Sequence, residues 1–173
     1  MNWDYYFYGV CVAVSDKSPC LSRKIGAIIV RDHSILSTGY NGPARGIPHC
    51  GISRFHNDEA LRDLLNGVDI SEVGKTTCPR KLSGFKSGEG MQWCPAQHAE
   101  ENAISNAARN GVNVCGSTLY LNTVIPCKNC FSTLINAGIV EIVCGSMTLY
   151  DVHSKFIINN SDILVREFNF EDS

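Results

Sequence analysis

Positive charge is scarce in this chain. Fifteen lysines and arginines stand against seventeen aspartates and glutamates, a formal charge of -2 at pH 7. No general field draws such a chain to a polyanion, so a small ligand fits it better than a nucleic-acid polymer. Long apolar runs are missing too. The stretch from Trp3 to Val14 is too short and too broken to span a bilayer, and no membrane association is expected. Asn2-Trp3-Asp4-Tyr5-Tyr6-Phe7-Tyr8 lacks the basic start of a secretion signal, which gives the expectation of a cytoplasmic protein. Internal repeats, low-complexity runs and an evident domain linker are also absent. The expectation is one domain over 1-173 with an insertion at about 51-93. Its 173 residues, 44% hydrophobic and 18% charged, are enough for a sizeable core.

Cysteine, by contrast, is plentiful, with nine in all. An odd count without a visible secretion signal argues against a disulfide framework and for metal ligation. Cys11, Cys115 and Cys144 have apolar neighbours and are expected to be buried thiols that behave as small hydrophobes. The other six fall into two sets. Cys127 and Cys130, in Pro126-Cys127-Lys128-Asn129-Cys130, follow His98-Ala99-Glu100 by about thirty residues. A lone C-x-x-C reads equally as a structural zinc half-site or a redox pair. Joined to His98, it supplies three donors for a tetrahedral Zn²⁺ whose fourth position is left to water, the pattern of a catalytic metal. Glu100, two residues past His98, is placed to move protons beside it. Its plainer alternative is a helix N-terminal carboxylate that complements the dipole. H-x-E with P-C-x-x-C is the general signature of zinc-dependent nucleobase deaminases. The second set, Cys20, Cys50, Cys78 and Cys94, suits a structural zinc that pins the insertion, with His49 or His56 as possible substitutes. Ordinary thiols are the alternative there.

Apolar patterning places these residues on elements. A helix over 3-14 ends at Ser15-Asp16-Lys17-Ser18-Pro19. The runs at 25-30 and 35-40, joined by Asp32-His33-Ser34, form a hairpin in whose turn His33 is expected to be solvated. Asn41 to Pro48 is a breaker-rich loop whose glycines allow a close approach to a ligand. From Gly51 to Gly90 the sequence is polar and irregular, apart from a helical piece near 58-65. Helices over 100-110 and 127-138 alternate with strands at 117-121 and 139-144, and 163-168 makes a last strand. This order predicts a mixed α/β sheet with both ligand-bearing helices on one face.

Gly26-Ala27, Gly39-Tyr40-Asn41-Gly42, Pro48-His49-Cys50, His98-Ala99-Glu100 with Asn102-Ala103-Ile104, and Pro126 to Cys130 give the chain a wider resemblance. It resembles the deoxycytidylate (dCMP) deaminases of the cytidine-deaminase superfamily. The resemblance implies a three-layer α/β/α sandwich with a mixed central sheet of about five strands. It also implies zinc-dependent hydrolysis of dCMP to dUMP and ammonia, supplying dUMP for dTMP synthesis. Asn41 would contact the deoxyribose, Ala99 would belong to the substrate site, and Tyr150 would hold the base. Arg109 would lie near the phosphate, its alternative being a helix C-terminal cation. An effector site at Tyr40, Asn41, Gly42 and Arg45 would take dCTP with Mg²⁺ as activator and dTTP as inhibitor, in a hexamer. The rival readings are a deaminase that also accepts dCTP, a tRNA-type polynucleotide editor, and a non-catalytic zinc module.

Overall fold

The computed structural model describes residues 2-69, 71, 78-86 and 88-168. Part of the expected insertion, 72-77, therefore lies outside the described residues. The chain divides into two compact units. The first comprises Met1-Ser18, Ile25-Asn41 and His98-Ser173, the second Pro19-Lys24 and Gly42-Gln97.

The first unit is built on a five-stranded sheet. Its strands are β1 (Gly26-Arg31), β2 (Ser34-Tyr40), β5 (Thr118-Val124), β6 (Glu141-Ser146) and β7 (Leu164-Glu167), in the order β2-β1-β5-β6-β7. β1 pairs antiparallel with β2 and β5, whereas β5-β6 and β6-β7 are parallel. The sheet is mixed, as the order of segments required. β1 is apolar without a break because both of its faces are covered. Ala27 and Ile29 join Leu119, Leu121, Ile142 and Cys144 on one face, under α5 (Ala99-Arg109) and α6 (Lys128-Asn136). Ile28 and Val30 join Tyr120 and Val143 on the other, under Phe7 and Cys11 of α1 (Trp3-Ser15). Both ligand-bearing helices do lie on one face, and the unit is an α/β/α sandwich.

Local chemistry accounts for the elements. Asn2 caps α1 by accepting the Asp4 N-H at 3.0 Å. Phe7, Cys11 and Ser15, four apart, are its buried stripe. The β1-β2 turn places Asp32 and His33 at φ of 50° and 58°, the left-handed pair that a tight hairpin needs. His33 is exposed but not simply solvated, because its ring stacks on Trp3 at 4.4 Å. Cys115 departs from expectation as well: Cys11 and Cys144 are buried, but Cys115 is exposed. It lies between α5 and β5, where the turn sends Val114 inward and its neighbour outward. α7 (Val152-Asn159) has no counterpart in the sequence-based reading. It packs Ile157 and Ile158 on the face that carries α5 and α6.

The second unit has little core of its own. Leu61 and Leu65 are buried, with Phe55, Leu64, Val68 and Leu82 around them. Its elements are short: β3 (Gly42-Pro43), paired antiparallel with β4 (Ala96-Gln97), and α2 (Ile52-Asn57), α3 (Glu59-Leu64) and α4 (Pro79-Leu82). Asp58 joins α2 to α3, capping α3 through the Leu61 N-H at 3.0 Å and pairing with Arg54 at 3.0 Å. No described helix in the chain is long and apolar enough to cross a membrane.

One ion cluster ties α1 to the far edge of the sheet. Arg166 on β7 pairs with Asp4 and, through Nε at 2.7 Å, with Glu141, and the Tyr120 hydroxyl donates to Asp4 at 2.7 Å. The hydrogen bond from Arg166 holds the Asp4 carboxyl below its usual range, against the partial burial that opposes it. A carboxyl lowered in the folded state stabilises the fold above its unfolded pKa, and that contribution fades as pH falls through the folded value. Asp4→Asn is therefore expected to cost about 1-2 kcal/mol near neutrality, towards the lower figure because Arg166 is partly exposed. In urea titrations from pH 7 downward, the gap between variant and parent should close below about pH 4. A gap that held constant at acid pH would remove the ion pair as its cause.

Candidate metal centre and active site

Two helix N-termini carry the cluster. His98 is the N-cap of α5 and Cys127 the N-cap of α6, both with extended backbone (ψ of 156° and 164°), and Cys130 sits in the first turn of α6. His98 Nδ1 lies 3.5 Å from the Cys127 sulfur and 3.3 Å from that of Cys130. Zinc-nitrogen and zinc-sulfur bonds of ordinary length at a tetrahedral angle set nitrogen and sulfur about 3.5 Å apart. The donor set therefore fits the metal in chemistry and in spacing. Among the described residues this is the one group of three or more His, Cys, Asp or Glu whose ligand atoms lie within 4.8 Å of one another.

The three donors act strongly on one another. The hydrogen bond from Cys130 brings the Cys127 thiol down to about 4 despite burial, and His98 adds to the effect. The same sulfur-sulfur bond drives Cys130 well above the ordinary thiol range. His98 is pushed up to about 9, chiefly by its bond with Cys127 and against its own burial, with Glu100 adding attraction. Zinc ligates thiolate and neutral imidazole, so ligation at these donors would release protons.

Glu100 projects from the first turn of α5 and is only 5% exposed. Burial raises its pKa, opposed by its own backbone N-H and by His98. A carboxyl pushed towards its neutral form beside a cluster of donors suits proton transfer.

The depth of α5 depends on one glycine. A Cβ at Gly39 of β2 would stand 2.3 Å from both the Ala103 nitrogen and the Ala99 oxygen, which are helix backbone atoms that cannot swing aside. Ser37 Oγ reinforces the contact by donating to the Ala103 carbonyl at 2.7 Å. Asn102 and Asn106, one turn apart, donate to the carbonyls of Tyr40 and Thr38 at 2.8 Å each. The Gly-Tyr-Asn-Gly segment is in this respect a seat for α5, the helix that carries His98 and Glu100.

The other expected site residues are distributed as follows. Tyr150 comes to the cluster, its ring 6.3 Å from that of His98 and edge-on to it. Asn41 is buried, and its Oδ1 accepts from Ser18 Oγ at 2.6 Å and from the Ile25 N-H at 2.8 Å, so that end of the amide holds the start of β1. Ala99 is fully buried with its methyl in the core, which leaves only its backbone to face a ligand. Arg109 is exposed in the last turn of α5, about 16 Å of helix from His98. It is not brought to the metal donors, and its cation suits the helix C-terminus. Tyr40 and Arg45 are exposed and Gly42 is buried in β3.

In the second unit Cys20, Cys50, Cys78 and Cys94 line one small cavity of about 20 Å³, together with His49, which is room for a single ion or water. His56 is not on that wall. The Cys50 hydrogen bond, with backbone N-H groups of Arg80 and Lys81 at the start of α4, brings the Cys78 thiol down to about 5, while Cys50 is raised by the same bond. The sequence-based reading missed the groups that hold the ligand loop from α7. Asp151 accepts the Lys128 N-H at 2.9 Å, and Ser154 Oγ donates to the Pro126 carbonyl at 3.0 Å. The only sequence signal for them is a helix-capping D-x-x-S after Tyr150.

Residues 1-146 match the model of the cytidine and deoxycytidylate deaminase zinc-binding region. The deoxycytidylate deaminase of Saccharomyces cerevisiae is 31% identical over 171 residues, which is 99% of this chain but 46% of that protein. The chain thus spans less than half the length of that relative. The deoxycytidylate deaminase of Mycobacterium phage D29 is 33% identical over 82% of this chain and 93% of its own length. The fold is also that of a dCMP deaminase from the cyanophage S-TIM5, with a TM-score of 0.63 over 95% of both chains at 20% identity.

If Gly39 seats α5, Gly39→Ala is expected to destabilise the chain by about 3 kcal/mol or more, whereas Gly111→Ala, at an uncrowded site with positive φ, should cost about 1 kcal/mol. Denaturant unfolding of the two variants side by side checks the order, and equal losses would contradict it.

Proposed function

Because the chain belongs to the cytidine and deoxycytidylate deaminase family, we propose that it hydrolyses the 4-amino group of dCMP, giving dUMP and ammonia. The observation that carries the reading is the approach of His98 Nδ1 to two cysteine sulfurs, at 3.5 and 3.3 Å, beside the buried Glu100. Zinc, when bound by His98, Cys127 and Cys130, supplies Lewis acidity that makes an attacking water reactive near neutral pH. Glu100 does the proton work. It takes one proton from the attacking water as the C4-O bond forms and passes it to N3, then takes the second from the new C4 hydroxyl and gives it to the departing amine as the C4-N bond breaks. Water and dCMP then balance dUMP and ammonia. Tyr150 is taken to flank the base, a reading supported by its ring standing edge-on to His98, and Asn41 is assigned the sugar by family resemblance. dCMP rather than dCTP as substrate rests on the names of the relatives.

The same reading extends to features supported by resemblance alone: activation by dCTP with Mg²⁺, inhibition by dTTP, a homo-hexamer, and a cytoplasmic place in pyrimidine supply. A second, structural zinc on Cys20, Cys50, Cys78 and Cys94 has support of its own. The four thiols line one cavity in a unit whose apolar cluster, among the described residues, buries Leu61 and Leu65, and a metal cross-link adds folding energy to so small a core. In this reading that unit is the insertion of a single deaminase domain.

Glu100→Ala should lower kcat for dCMP by three or more orders of magnitude, about 4 kcal/mol of barrier, in a protein that stays folded and zinc-loaded. Near-normal turnover would refute the proton role, and release of ammonia from deoxycytidine or dCTP but not dCMP would redirect the substrate. Elemental analysis should find about two zincs per parent chain and about one in Cys94→Ser. One zinc in both would remove the second site.

A further inference from the structure

The peptide groups on either side of Cys127 are both held by the first turn of α7. The carbonyl that precedes Cys127, that of Pro126, accepts from Ser154 Oγ at 3.0 Å, and Ser154 is fully buried. The amide that follows it, that of Lys128, donates to Asp151 Oδ2 at 2.9 Å. The other carboxylate oxygen of Asp151 caps α7 itself, accepting the Ser154 N-H at 2.8 Å. The two bonds restrain the peptide planes on either side of Cys127 and with them the direction of its Cα-Cβ bond, which leaves the sulfur only a choice among its χ1 rotamers. Tyr150 directly precedes Asp151, and its ring stands against His98. A single helix turn thereby sets both a thiolate donor and the aromatic wall of the site.

We propose that Asp151 and Ser154 are positioning residues of the metal centre, orienting Cys127 for ligation and Tyr150 against His98. The inference rests on the zinc reading of His98, Cys127 and Cys130. It does not depend on which cytosine compound is the substrate. Neither residue touches the donors, so their effect passes through the backbone. Such outer partners characteristically change metal affinity by 10-100-fold.

Two substitutions separate bracing from folding. Asp151→Ser keeps a competent N-cap for α7, but the shorter side chain does not span to the Lys128 N-H. Ser154→Ala removes the bond to Pro126 and keeps the helix. The readouts are zinc competition against a chromophoric chelator and the visible spectrum of the cobalt-substituted protein, which reports thiolate ligation and geometry. Binding at the second set of cysteines is subtracted with Cys127→Ala. Each variant should release zinc 10-100-fold more readily than the parent and show a shifted cobalt-thiolate spectrum. Melting temperature should move by no more than about 4 °C. Affinity within two-fold of the parent and an unshifted spectrum in Asp151→Ser would overturn the proposal even if Ser154→Ala fails to fold. Should Cys127→Ala keep the parent's full zinc and cobalt signal, the metal reading itself falls and takes the proposal with it. A loss of metal in Cys127→Ala with none in the Asp151 and Ser154 variants leaves the centre standing and removes only their role.

Discussion

A metal centre made of two thiolates and an imidazole constrains the backbone before it does any chemistry. Its donors come from positions 98, 127 and 130, so the chain must bring two helix starts together and hold them there. Both starts lie at the ends of α5 and α6 on one face of the sheet, above Ala27, Ile29 and Leu121. The apolar face of that sheet fixes the two helices, and their N-termini favour the negative charge that ligation requires. The small residues of α5, Ala99, Ala103 and Ala107, are all essentially unexposed. They let the helix lie close over β2, where larger side chains would lift Glu100 away from the donors.

The parts of this arrangement that are local in sequence were legible in it. H-A-E and P-C-x-x-C are short, each carries its own spacing, and each sits where an apolar period of 3.6 begins, so ligands and helices were read together. β1 was equally plain, since its five uncharged residues before Arg31 need cover on both sides. What was not legible depends on partners distant in the chain. Cys115 has apolar neighbours, but its exposure is decided by which way a turn faces. Arg109 is assigned to the phosphate by resemblance, with a helix C-terminal cation as its alternative, and only the length of α5 shows how far along the helix from His98 it stands. Gly39 looks like part of a ligand loop, and its crowding by Ala99 and Ala103 appears only when β2 and α5 are packed.

α7 is the most informative case. Its polar face and its exposed Val152 and Phe156 blur the apolar stripe that announces a surface helix. The residues that matter in it, Asp151 and Ser154, resemble an ordinary cap. Their importance comes from bonding to backbone groups more than twenty residues earlier, and no periodicity encodes that. The second unit shows the opposite condition. Among its described residues the apolar cluster buries Leu61 and Leu65, a small core. Four cysteines line one small cavity in the same unit, and small cores commonly rely on a metal or another cross-link.

The charges of the first site also explain why its carboxyl is buried. Two thiolates carry a formal charge of -2, which a divalent cation cancels while His98 stays neutral. Little net field from the ligated donors is then left to hold Glu100 ionised or to force a proton on it. What acts on it is desolvation, which favours the neutral acid, set against its own N-H and the start of α5, which favour the carboxylate. Desolvation is the larger effect and raises the pKa of Glu100 above the ordinary carboxylate value, which favours holding a proton between one transfer and the next. An exposed glutamate at the same helix position would instead remain ionised near neutrality, able to take a proton but poor at keeping one long enough to deliver it. Burial of Glu100 is therefore what the proposed proton transfer would need, and the close seating of α5 on Gly39 helps to supply that burial.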